Sequence, residues 1–148
     1  MVRKQPKRTP RPGLDEYGRT PLHYAADRGD HALAGELIAA GADASLADDD
    51  GWTPLHFAVQ AHSPPLVQLL LQAGAPVDPP DSNGNTPLWR AVMDSQGRGE
   101  VIQALRAAGA DPHYVNAHGI SPVSLARDIG NFDVRRFFAD LPASPTEQ

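Results

Sequence analysis

The chain contains no cysteine, which excludes a disulfide framework, a thiolate nucleophile and any zinc or iron–sulfur site with thiolate ligands. It has no apolar run close to the roughly 20 residues that span a bilayer. The basic start Met1-Val2-Arg3-Lys4 is not followed by an apolar stretch, so no secretory signal is read there and a cytoplasmic address is expected. Lysine occurs only at Lys4 and Lys7, and with abundant alanine, proline, arginine and aspartate this bias points to a GC-rich bacterial genome. The His-Glu-x-x-His zinc motif, the glycine-rich phosphate loop ending in Gly-Lys-Ser/Thr and the Gly-x-Ser-x-Gly elbow are also missing. What remains is 148 residues, 41% hydrophobic and 21% charged, an ordinary composition for one folded domain.

Charge is unevenly placed. Residues 1–13 carry Arg3, Lys4, Lys7, Arg8 and Arg11, no acid, and three prolines. Such a segment cannot bury enough surface to offset its ordering entropy, and a flexible basic arm is expected there. The remaining eight basic residues face 18 acidic ones over residues 14–148. An acidic body repels phosphate, which argues against nucleic acid as the main partner.

Self-similarity organises everything after residue 14. Gly18, Gly51, Gly84 and Gly119 stand 33, 33 and 35 residues apart. They sit in the runs Gly18-Arg19-Thr20-Pro21-Leu22-His23, Gly51-Trp52-Thr53-Pro54-Leu55-His56, Gly84-Asn85-Thr86-Pro87-Leu88-Trp89 and Gly119-Ile120-Ser121-Pro122-Val123-Ser124. A second marker, Gly41-Ala42, Gly74-Ala75 and Gly109-Ala110, stays 10 residues ahead of the next turn glycine. The phase divides the chain into units of about 15–47, 48–80, 81–115 and 116–141, with a flexible tail expected over 142–148.

Each unit reads as a turn and two helices. The glycine suits a left-handed turn position. Thr20 and its equivalents are N-caps, and Pro21 and its equivalents take the first helical position, where no amide bond is lost. Gly29 can end the first helix in a left-handed conformation. A second helix follows, with apolar stripes at Leu33, Leu37 and Ile38, at Leu66, Leu70 and Leu71, at Val101 and Leu105, and at Val134 and Phe138. Small Ala25, Ala26 and Ala58 allow close stacking. No unit can bury its stripe alone, so the core must run along the stack.

The Gly-x-Thr-Pro-Leu-His-x-Ala run, closed by Gly-Ala-Asp, resembles the ankyrin repeat over residues 15 to about 140. The resemblance implies an all-α solenoid of four helix-turn-helix units with protruding hairpin-like loops, and a non-catalytic role in binding another protein. It further implies that His23 and His56 stiffen the loops by bonding to neighbouring backbone. Departures from the pattern concentrate late in the chain. The third unit is longer by 2 residues within Asp94–Gly99, where a mobile turn is expected. Trp89 stands in place of histidine, and Arg90 in place of an apolar residue. The fourth unit carries Arg127, Arg135 and Arg136, which read as a polar cap. No comparable cap precedes the first unit.

The six histidines include no pair at a helical i, i+4 spacing beside a carboxylate, so no metal or other cofactor is expected. Asp15, Asp48 and Asp81 stand where a carboxylate can bond its own turn backbone two residues on. The resemblance places the binding residues at loop tips and on the outward side of the first helices, in one concave strip. These are Glu16, Tyr17, Arg19, Asp27 and Arg28, then Asp49, Asp50, Trp52, Gln60 and Ala61. Ser82, Asn83, Asn85, Met93 and Asp94 follow, and then Ala117, His118 and Ile120. Tyr17, Trp52 and Met93 are candidate anchors, with packing of the two aromatics on the loop stems as the alternative. The expected partner is one protein with a basic patch, met by a monomer without a small-molecule substrate. An inhibitor or immunity protein is the specific version. A nucleic-acid regulator acting through the basic arm, or an enzyme accessory subunit, is the alternative.

Overall fold

The computed structural model describes residues 13–129 and 133–141; the expectations for the arm up to residue 12 and for the tail from residue 142 lie outside them. Each unit opens on a turn held by one side-chain oxygen. Asp48 Oδ1 accepts the amides of Asp50 and Trp52 at 2.9 and 2.8 Å. Asp81 Oδ1 receives Asn83 and Asn85 in the same way. Asp15 and Asn116 repeat the arrangement at the two ends. Glycine is required at Gly51, where φ is +79° and a Cβ would lie 2.9 Å from the Cα of Asp81 in the next unit. Adjacent fingers therefore touch backbone to backbone.

Thr20, Thr53, Thr86 and Ser121 leave these turns in extended conformation and cap helices that begin on proline. Those helices are α1 (Pro21–Asp27), α3 (Pro54–Gln60), α5 (Pro87–Met93) and α7 (Pro122–Asp128), stacked in one row. Fully buried Ala25, Ala26 and Ala58, with buried Ala91, permit that approach. Behind them run α2 (His31–Ala39), α4 (Pro64–Gln72) and α6 (Glu100–Ala107). Leu55, Leu66, Leu70, Leu88, Ile102 and Leu105 fill the space between the rows. The stripe of α2 differs: Leu33, Leu37 and Ile38 are only half-buried, because among the described residues no unit packs outside them.

One expectation is corrected at the far end. The fourth unit has no full second helix among the described residues. A four-residue 3₁₀ turn, Arg135–Phe138, takes its place, although Val134 and Phe138 are buried as the stripe requires. The longer turn of the third unit, expected to be mobile, makes contacts with the terminal turn in this structure. Ser95 is buried, Arg136 donates to the Gly97 carbonyl, and the Phe137 ring lies against Gly99. A Cβ on Gly99 would overlap that ring, so its glycine serves close approach.

Candidate functional site

Two buried histidines set the geometry of the fingers. His23 Nδ1 accepts the Thr20 amide at 3.0 Å, which leaves Nε2 protonated and able to donate to the Trp52 carbonyl, also at 3.0 Å. His56 makes the same two bonds to the Thr53 amide and the Asn85 carbonyl. Burial pushes both imidazoles below their ordinary pKa, more strongly than the bonds donated to carbonyls and the nearby carboxylates raise it. Each neutral histidine thus ties its own helix start to the next finger. The third junction lacks this tie: the indole Nε1 of Trp89 is buried and finds no partner among the described residues, and Asn116 Nδ2 bonds Asn85 Oδ1 there instead.

The tips are linked in series as well. The Asp49 amide donates to the Tyr17 carbonyl, Ser82 to Asp50, and Ala117 to Asn83, at 2.9 to 3.0 Å. This chain of bonds holds the tips in one row, although no strand forms among the described residues.

The predicted residues divide into two groups. Tyr17, Asp27, Arg28, Asp49, Asp50, Gln60, Asn83 and Met93 are exposed, and Tyr17 and Met93 keep 53% and 52% of their surface open. Ala61, Ser82, Ala117 and His118 are exposed too, while Glu16 and Ile120 are half-buried. Arg19, Trp52, Asn85 and Asp94 are turned to internal tasks. The Arg19 guanidinium pairs with Asp48 at 3.1 Å and lies over the rings of Tyr17, Tyr24 and Phe57. Trp52 is half-buried against His56 and Phe57, with Arg90 stacked on it at 5.0 Å. Asn85 gives its carbonyl to His56 and its side-chain oxygen to Asn116. Asp94 pairs with Arg90 at 3.3 Å. Trp52 therefore packs on the loop stems, the alternative weighed for it in the sequence, and Arg90, which looked out of place in an apolar position, lies over its ring.

Sequence reasoning missed two exposed side chains, Leu46 and Val115. Both precede a turn carboxyl or amide by one or two residues, in a stretch that lies between the repeated motifs. Unit phase would have placed them on the finger arms. Among the described residues no group of three His, Cys, Asp or Glu side chains could hold a metal ion, and no helix is long and apolar enough to cross a membrane. Two clefts lie on the terminal units. One of about 500 Å³ is lined by Leu14, Tyr24 and Leu33, another of about 450 Å³ by Val123, Arg127 and Phe138.

A family model described as ankyrin repeats (3 copies) matches residues 22–116. The fourth turn and α7 stack beyond that span. No curated protein matches the chain.

Proposed function

The chain belongs to the ankyrin-repeat family, and on that premise we propose that it is a non-catalytic module binding one protein through its finger tips and the exposed ends of α1, α3 and α5. Ankyrin repeats are generally protein–protein interaction modules. One observation carries the reading to this surface: the tips are joined by backbone bonds from Tyr17 to Asp49, Asp50 to Ser82 and Asn83 to Ala117, while their side chains stay exposed. A backbone fixed before contact lowers the ordering cost of association. Tyr17 and Met93 are the anchors, because large apolar side chains so exposed in a monomer are unspent contact area. Carboxylates at Asp49 and Asp50 favour a partner with a basic patch. The specific role we assign is a bacterial cytoplasmic inhibitor or immunity protein that covers its partner's working surface.

The test is affinity capture from the native host with the intact chain beside a Tyr17→Ala/Met93→Ala variant of unchanged melting temperature. A prey bound by the intact chain and weakened by about 2 kcal/mol or more in the variant is the expected result. A prey indifferent to the variant but lost on deletion of residues 1–13, with steep salt dependence, would move the function to the basic arm.

A further inference from the structure

We propose that the finger arms bind an amphipathic helix of a partner protein, with apolar side chains at seven-residue intervals flanked by lysine or arginine. The proposal rests on the chain being a protein-binding module but uses a different surface from the tips and helix ends above. Unit phase aligns Leu46-Ala47, Pro79-Pro80 and Tyr114-Val115, each pair immediately before a turn Asp or Asn. All three pairs present apolar surface. Leu46 is 41% and Val115 57% exposed, Ala47 and Pro80 are exposed, and Pro79 and Tyr114 are half-buried. One such residue alone would be unremarkable on a protein surface. Ala47, Pro80 and Val115, each one residue before the turn Asp or Asn, are all exposed and stand in register along bonded fingers, with Leu46 beside Ala47 on the first arm.

The spacing of the row selects the shape of its occupant. Helices packed side by side stand about 8–10 Å apart, so stacked units repeat at about that interval. Seven residues of α-helix advance about 10.5 Å and drift only about 20° around the axis. A helix with apolar residues at i, i+7 and i+14 therefore meets all three arms with one face. An extended strand advances about 3.3 Å per residue, so contacts three residues apart would alternate sides. Pro79 and Pro80 also offer no amide to an added strand.

Charge selects the flanks. Residues 29–89 contain no lysine or arginine and eight acids. Asp43 and Asp111 precede the row at equivalent positions in two units, both exposed. Asp78, in the central unit, accepts the Asp111 amide with Oδ2 at 2.9 Å, while its buried Oδ1 has no donor among the described residues. Burial, together with the Asp111 charge, raises the Asp78 pKa despite that amide bond. A cation placed beside the arms would relieve this crowding, whereas nucleic acid and anionic lipid would be repelled.

The experiment is selection of a displayed library of 21-residue helical peptides on the full chain, followed by affinity measurements. The comparison protein is Leu46→Ser/Val115→Ser; both sites are exposed, so its melting temperature should match. Expected are peptides with apolar residues seven apart and basic neighbours, about tenfold or more weaker on the double variant and weaker again at high salt. Peptides lacking that spacing, carrying acidic flanks, or binding the variant equally would overturn the proposal. Peptides lost with Tyr17→Ala/Met93→Ala but kept by Leu46→Ser/Val115→Ser would overturn it while leaving the binding module intact. No selectable peptide on either surface would count against both. Self-association of the intact chain at high concentration, abolished by Leu46→Ser/Val115→Ser, would give the row to a second copy and overturn the helix assignment.

Discussion

His56 is held neutral by two bonds that fix its tautomer. Nδ1 receives the Thr53 amide and Nε2 donates to Asn85, so an added proton would set two N–H groups against each other at Nδ1. Burial opposes the charge too, and His23 and His62 share the downward direction. In the unfolded chain each imidazole titrates near 6.5. The folded state is therefore fully favoured above that pH. It loses stability as pH falls from about 6.5 toward the lower folded pKa values, because the unfolded chain takes up protons first. Melting temperature should be flat from pH 8 to 7 and drop between pH 6.5 and 5. His56→Gln should melt lower at pH 7.5 and show a shallower drop, so that the gap to the parent narrows on acidification. A gap that widens would show that protonated His56 is tolerated and that this account of the junction is wrong.

The elements owe their ends to short motifs, and their mutual placement to contacts that no motif announces. Thr-Pro starts and turn carboxylates stood in the sequence with their reasons attached: an oxygen two residues from an amide, a proline where no amide is needed. The deep stripes at Leu66 and Leu70 were legible for the same reason, since period fixes face. Arg19, Asn85 and Trp52 were not, because their partners Asp48, Asn116 and Arg90 come from neighbouring units and only stacking brings them together. The longer turn of the third unit is the sharpest case. Its glycines suggested mobility, yet Gly99 caps α6 at φ −107° and lies beneath Phe137 from the terminal turn. Alanine fits that backbone, so Gly99→Ala acts through the ring, whose carbons would lie 2.1 to 2.7 Å from the new Cβ. It should cost about 1–3 kcal/mol in urea unfolding. In a Phe137→Ala background the same change should cost only a few tenths of a kcal/mol. Equal costs in both backgrounds would remove Phe137 from the explanation.

At the scale of the whole molecule, stability follows position in the stack. An inner unit shares two interfaces and an end unit one, so the energy of a repeat array is set by neighbours as much as by each unit itself. Leu55 in α3 has no exposed surface, while Leu33 in α2 is half-buried, with no further unit against it among the described residues. The far end leans on the third unit instead, where Arg106 reaches the Phe137 carbonyl and both oxygens of Asp140. Leu55→Ala should thus remove about 3–5 kcal/mol and lower protection of amides across the first three units together. Leu33→Ala should remove about 1–2 kcal/mol. Its loss of hydrogen-exchange protection should stay within α1 and α2, leaving α5 and α6 as protected as before. The two substitutions delete the same atoms, so their difference measures what a second neighbour contributes. If Leu33→Ala also loosened α5 and α6, the stack would be one cooperative block, and α1 and α2 would be as tightly coupled as its centre.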